Sequence, residues 1–314
     1  MIKVMTRKAT IDPFEMQPER PVIFGEVLFD CFSDQQVPGG APLNVAWHLH
    51  ALGWNPLLIS RVGQDDPGRA MVRRMRDWGM DATGIQRDME HPTGRVNIMI
   101  EGKSHTFNIL PEQAYDYIEP EVARCAVNLR QCGLLYHGSL ALRGSSRAAF
   151  KRLHEAAEAP VFLDINLREP WWKKEEVLDM IHRASILKLN DDELELLQPD
   201  RLKGVAIEEV ARTVLVEWDL DALWLTLGKE GALYCSAEVD ALRVPLDDLD
   251  APVVDTVGAG DSFSAALIGG LLKGSSPEET AKCATKLATR ICGQRGATVA
   301  DMELYEGLEA VSHG

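Results

Sequence analysis

The sequence predicts an α/β fold: a mostly parallel sheet with helices on both faces. Three observations carry that prediction. Short apolar runs recur along the chain, amphipathic stretches fill the gaps between them, and helix-start chemistry stands at several of the junctions. The runs cover residues 22–29, 57–61, 134–138, 161–165, 186–189 and 222–227, and all are rich in Val, Ile and Leu. Strands buried on both faces have this character. Apolar residues recur three and four positions apart over 43–52, 67–78, 145–159, 207–218, 262–272 and 277–292, which predicts six helices. Pro67 after Asp66 and Pro277 after Ser276 suit a first helical turn. Strands alternating with helices close into a parallel sheet through crossover connections.

Composition narrows the partners. With 46% hydrophobic and 26% charged residues in 314, the chain has enough apolar surface for a large core. A formal net charge of −15 argues against nucleic acid or an anionic membrane as partner, since both are bound mainly through Lys and Arg. It leaves a nucleotide open, because backbone N–H groups can hold phosphate on an acidic protein. Residues 1–20 read as a polar lead-in without the apolar stretch of a signal peptide, and no run reaches membrane-span length. The six cysteines are scattered with no C-x-x-C pair, which fits reduced thiols and a cytoplasmic protein.

Residues 93–110 break the rhythm. They read as a hairpin, with apolar Val96, Ile98 and Ile100 alternating and a turn at 101–104. An edge hairpin, a lid over a site and a dimer surface all fit this pattern.

The segment V-D-T-V-G-A-G-D-S-F over 254–263 joins an apolar strand end to a predicted helix. Gly258 and Gly260 allow successive N–H groups to converge on one concavity. At a helix N-terminus, free N–H groups and the helix dipole both favour an anion. Such a donor set stabilises a transferring phosphoryl group. Asp261 follows in the first turn, where it either caps the helix or accepts the proton of an attacking hydroxyl.

This string resembles the C-terminal motif of the PfkB, or ribokinase-like, family of carbohydrate kinases. The resemblance runs from about residue 21 to 300, and it implies a ribokinase-like fold with a small β lid over a kinase domain spanning 21–314. It implies that Gly258, Ala259 and Gly260 form the anion hole and that Asp261 is the catalytic base. It further implies ATP as co-substrate, Mg²⁺, and a K⁺ site near Asp255. A lid that pairs with its twin would make a homodimer.

Other segments extend the resemblance. G-E-V-L-F-D over 25–30 presents Asp30 where the family has a sugar-contacting Asp, although an Asp at a strand end also serves as a turn residue. G-G-A-P-L-N-V-A over 39–46 is similar to the family's N-terminal motif. It offers Gly39 and Gly40 for close approach, and Asn44 as donor and acceptor for a sugar hydroxyl or for nearby backbone. D-I-N-L-R over 164–168 with Trp171 resembles a stretch of bacterial fructokinases and sugar-acid kinases. Arg168 there suits substrate oxygens, a phosphate or a structural ion pair. N-D-D-E over 190–193 matches the family's N-x-x-E element. It places Asn190 at the ATP and gives Glu193 an indirect, water-mediated hold on Mg²⁺; read alone, it is an acidic helix start. T-L-G-K-E-G over 226–231 resembles the ATP-site segment, with Thr226, Gly228 and Gly231 beside the nucleotide; a plain hairpin turn would use the same residues.

The chain has neither a Walker loop nor a strand-following G-x-G-x-x-G, which disfavours P-loop and NAD-binding readings. Ala41-Pro42, where ribokinase-type sequences usually carry Lys-Gly, together with the 164–168 stretch resembles fructokinases, which makes fructose the expected acceptor. 2-Keto-3-deoxygluconate is the alternative, with Arg168, Arg95 or Lys103 as its carboxylate partner. A silent sugar- or nucleotide-binding regulator is the competing class, and intact Asp261 with its flanking glycines argues against it.

Overall fold

The computed structural model describes residues 20–33, 35–101, 104–126, 132–246 and 253–313. Of the polar lead-in over 1–20, all but Arg20 lies outside them. In chain order come β1 (Arg20–Phe24), β2 (Leu28–Cys31), β3 (Gln36–Gly39), α1 (Ala41–Ala51), β4 (Leu57–Gly63), α2 (Asp66–Asp77), β5 (Ile85–Asp88), β6 (Gly94–Glu101) and β7 (Ser104–Ile109). The middle supplies α3 (Pro120–Ala126), β8 (Cys132–Gly138), α4 (Ser146–Ala157), β9 (Val161–Asp164), α5 (Lys174–Ile181), β10 (Ile186–Asn190), α6 (Asp191–Leu197), α7 (Ile207–Glu217) and β11 (Ala222–Thr226). Last are β12 (Ala232–Ser236), β13 (Leu242–Val244), α8 (Ala259–Lys273) and α9 (Pro277–Cys292).

Among the described residues, nine strands form one sheet in the order β13-β12-β11-β10-β9-β8-β1-β4-β5. Pairing is parallel from β5 through β11, and β12 and β13 add an antiparallel edge. The strand runs seen in the sequence are predominantly apolar because helices cover both faces. One core joins α1, α2, α8 and α9 to Ile23, Leu58, Tyr136 and Phe162. The other joins α4, α5, α6 and α7 to Phe24, Leu135, Leu163 and Leu189. The chain winds outward from β1 to β4 and β5, then returns to the far side of β1 as β8. Sheets of this kind bind ligands beyond the carboxyl ends of the strands at such a reversal.

The run at 22–29 is not one strand. It breaks at Gly25 (φ 149), where a Cβ would stand 2.5 Å from Pro42 Cγ and 2.8 Å from the Ala141 Cβ. The chain leaves the main sheet there and enters a second sheet of order β3-β2-β6-β7. Asp30 therefore lies within a strand of this smaller sheet rather than at the end of the first strand of the main one. The smaller sheet includes the hairpin of the 93–110 stretch, whose turn residues Gly102 and Lys103 lie outside the described residues. Leu28, Val96, Ile98 and Ile109 pack it against Tyr115 and Leu140 of the body.

One helix start differs in detail from the pattern. The cap of α2 is Asp65, which accepts from Gly68 N at 2.8 Å. Ser276 caps α9. Asn190 and Glu193 close a reciprocal capping box at α6, so the acidic run does begin a helix.

Candidate active site

A cavity of roughly 430 Å³ lies between the carboxyl ends of the main strands and the smaller sheet. Its size suits small molecules. Glu26, Gly138, Asn190 and Thr226 line it from the main-sheet side, and Leu28, Asp30, Val96 and Ile109 from the smaller sheet. The 256–261 turn closes its far end.

That turn is built by backbone geometry. Gly258 takes a left-handed conformation (φ 82) at the N-cap of α8, with Ala297 packed where a side chain would project. Ala259 N donates to Thr256 O at 3.3 Å and Ser262 N to Gly258 O at 2.9 Å, and Gly258 and Gly260 line the cavity at this helix start. Asp261 sits in that first turn, and its Oδ2 accepts from Asn44 Nδ2 at 2.7 Å. Burial raises the Asp261 carboxyl to about 6; Asn44 opposes the rise, Asp164 adds to it, and Lys188 and Arg168 oppose it. A carboxylate tuned in this way is ionised at neutral pH and more basic than an ordinary Asp, as a general base needs to be.

Two further acids share the cavity. Burial pushes Asp30 up to about 6, with Arg168 opposing and Asp261 adding. Burial also pushes Glu26 up to about 7; backbone donors oppose the rise and Asp261 reinforces it. Oε2 of Glu26 is buried with no hydrogen-bond partner among the described residues. The sequence pattern assigned Glu26 no role.

A second group escaped the sequence reading entirely. Lys188, within the otherwise apolar β10, is buried and lines the cavity. Its Nζ donates to both oxygens of Asp164, at 3.0 and 3.2 Å. Ser264 Oγ donates to Asp164 Oδ2 at 2.7 Å. The only signal in the sequence was a lysine inside a buried strand.

The structure brings Asp30, Gly40, Asn44, Arg168, Asn190, Thr226, Gly258, Gly260 and Asp261 to one cavity. Ala259 is the first residue of α8, between the two glycines. Arg168 is exposed at the cavity; its Nη1 reaches Leu167 O at 3.4 Å, and its charge acts on both Asp30 and Asp261.

Other candidates serve different neighbours. At Gly39 a Cβ would meet Asp30 Oδ2 at 2.5 Å, so this glycine makes room for a carboxylate rather than for a ligand. Gly228 is exposed with open space around it, whereas at Gly231 (φ 91) the backbone of Val244 and Pro245 fills the side-chain position. The hairpin turn between β11 and β12 accounts for Gly231. Glu193 is buried, with Oε1 accepting from Leu167 N (2.8 Å) and Oε2 from Asn190 N (3.0 Å). Asp255 lies outside the cavity lining and ties Val257 N (3.0 Å) to Gly296 N (3.2 Å). Among the described residues, no cluster of three or more His, Cys, Asp or Glu is arranged to hold a metal, and no helix is long and apolar enough to cross a membrane.

The chain is similar to known carbohydrate kinases. The family model described as pfkB family carbohydrate kinase matches residues 3–303. The chain is 31% identical to aminoimidazole riboside kinase of Salmonella typhimurium, over 80% of this chain and 79% of that protein. It is 26% identical to a fructokinase of Salmonella typhimurium, over 88% and 92%. Among solved structures, a fructokinase from Vibrio cholerae with fructose, ADP and calcium bound is 26% identical, with a TM-score of 0.76 over 93% of this chain and all of that one. The chain belongs to the pfkB family of carbohydrate kinases, which phosphorylate sugars with ATP.

Proposed function

We propose that the protein is a fructokinase, transferring the γ-phosphoryl group of ATP to a hydroxyl of fructose. The observation that carries this reading is the position of Asp261, held by Asn44 at the anion-binding end of a cavity lined with hydroxyl-reading acids. Fructokinase-named relatives support the choice of sugar.

In this reading the sugar lies between the smaller sheet and Asp261, with Asp30, Asn44 and Arg168 as its polar contacts. Gly40 lines the cavity wall beside it, with the Glu26 backbone at its own side-chain position. The nucleotide lies toward Asn190, Thr226 and Gly228. Asp261 takes the proton of the attacking hydroxyl as oxygen bonds to phosphorus. The bond to the bridging oxygen breaks in line, and ADP leaves with the electron pair. The N–H groups of the 258–261 turn take up charge on the transferring group. The smaller sheet acts as a lid that keeps water from competing as acceptor, and its outer edge is the surface through which two copies would pair. The setting is cytoplasmic.

Mg²⁺ would arrive on the ATP phosphates, where it neutralises charge. Each Glu193 oxygen accepts one backbone N–H and keeps a second lone pair. That suits contact through metal-bound water better than direct ligation. For K⁺, Asp255 supplies a carboxylate on the loop leading into α8.

A sugar acid is the second reading, favoured by the exposed Arg168 at the cavity. A coupled ADP-release assay over fructose, ribose, 2-keto-3-deoxygluconate, adenosine and fructose 6-phosphate separates the two. Preference for fructose supports the first reading, and preference for the acid replaces it. Turnover of none would leave a binding protein on a kinase fold.

A further inference from the structure

A second cavity, of roughly 270 Å³, adjoins the first, and Ser139 belongs to the walls of both. Its charged lining is three cations, Arg143, Arg147 and Lys173, against one acid, Glu176. Asp116, paired with Arg143 from behind, brings the acids to two, so one positive charge is left over on a chain whose formal net charge is −15. Half-buried Trp171 and Trp172 add ring faces.

Arg143 is the built part of this site. Its side chain is nine-tenths buried, at 10% exposure. Nε and Nη2 each donate to an Asp116 oxygen at 2.9 Å, and Nη2 also reaches Tyr115 Oη at 2.8 Å and Leu110 O at 3.2 Å. The guanidinium lies 4.3 Å from the centroid of the Trp171 ring. The donors left over are those on Nη1, which is buried with no hydrogen-bond partner among the described residues. Trp171 Nε1 is in the same condition. Two buried donors left unmade side by side are costly, and an oxyanion supplies acceptors to both.

We propose that this cavity is an effector site for a small organic oxyanion, a phosphate monoester or a carboxylate, whose binding shifts acceptor affinity through Trp171 and Arg168. Both free donors are covered by their neighbours, so seating an oxygen on them moves the Trp171 ring. Trp171 N donates to Arg168 O at 2.7 Å, and Arg168 lines the main cavity. Movement at Trp171 therefore reaches the acceptor end of the main cavity while leaving the 256–261 turn untouched. The coupling rests on Arg168 as a sugar contact in the reading above; the site itself does not.

The test titrates methyl phosphate and acetate, read by ligand-observed NMR, into the full chain holding Mg²⁺ and a non-hydrolysable ATP analogue, which occupies the anion turn of α8. Saturable binding is expected, and the tighter probe tells a phosphate ester from a carboxylate. Trp171→Phe keeps a ring beside Arg143 and removes the N–H; it should weaken binding about fivefold. Arg143→Met with Asp116→Asn, which leaves no lone buried carboxylate, should weaken it by about tenfold or more. If that double variant fails to fold, Trp171→Phe still decides. Arg168→Ala should keep binding within about twofold, which separates this site from the main cavity. At saturating ATP the bound anion should change sugar KM by about threefold or more with kcat within about twofold, and Trp171→Phe should lose most of that change at the same anion concentration. No binding of either probe, or binding unchanged in both site variants, would mean that water fills the cavity and would overturn the proposal. Binding with an unchanged sugar KM would overturn the coupling. The titration needs no turnover, so an enzyme inactive on every sugar sinks the acceptor assignment while the effector site is still judged.

Discussion

Asn44 Nδ2 and Asp261 Oδ2 meet at 2.7 Å across 217 residues of sequence, joining the start of α1 to the start of α8. The other end of the amide, Oδ1, is buried without a partner among the described residues, leaving an acceptor for a ligand hydroxyl. This bond is one of the influences holding the Asp261 carboxyl down against burial. Asn44→Ala should move the acid limb of the kcat/KM profile to higher pH. Activity should fall about tenfold or more near pH 6.5 and less at pH 8. A uniform loss at all pH values would limit Asn44 to substrate contact.

The wild-type profile should rise as pH passes about 6, because Asp261 accepts a proton only when ionised. Asp261→Asn should keep the melting temperature and lower kcat by about 10²–10⁴. Near-full activity in that variant would remove the base from Asp261.

Glu26 yields a stability prediction of known sign. Its carboxyl titrates at about 7 in the fold against 4.5 ordinarily, so the folded state holds a proton that the unfolded chain has lost between those values. The fold therefore loses stability as pH rises through that window, by about 3 kcal/mol if the whole shift is expressed. Glu26→Gln should raise the melting temperature by several degrees at pH 8 and by nothing near pH 4.5. An equal gain at both pH values would show that something other than the charge is responsible.

Gly258 and Gly228 make a matched pair. Gly258→Ala places a Cβ 2.7 Å from the Ala297 Cα in a left-handed backbone. It should cost roughly 2 kcal/mol or more and disturb the anion turn. Gly228 (φ 53) has open space around it. Gly228→Asn should leave melting nearly unchanged, since Asn tolerates this conformation. If the nucleotide lies against Gly228, the same change should raise the KM for ATP severalfold. Unchanged melting with unchanged KM would move the nucleotide away from this turn.

What the sequence revealed and what it hid divide along physical lines. The 254–263 turn was legible because its glycines, its carboxylate and its helix start are contiguous and in order. The main sheet was legible because strands buried on both faces leave long apolar runs. The smaller sheet was read only as its hairpin, because β2 and β3 are four residues each and contain Asp30, Pro38 and Gly39. Lys188 and Glu26 were hidden because their importance comes from burial beside residues distant in the chain. At Gly39 and Gly231 a glycine signals only that space is needed, and the sequence does not say that Asp30 or Pro245 lies at the side-chain position.

The order of the cavity's walls along the chain has a practical consequence. Glu26, Asp30, Gly40 and Asn44 fall within one 25–44 stretch, whereas Asn190, Thr226 and the 256–261 turn come from the later half. In the proposed reading most acceptor contacts thus come from the early stretch, with Arg168 the exception from the later half. A focused library over Glu26, Asp30 and the β6 and β7 strands, with Asn44 kept because it holds Asp261, would vary the acceptor side while leaving Asn190, Thr226 and the 256–261 turn unchanged in sequence.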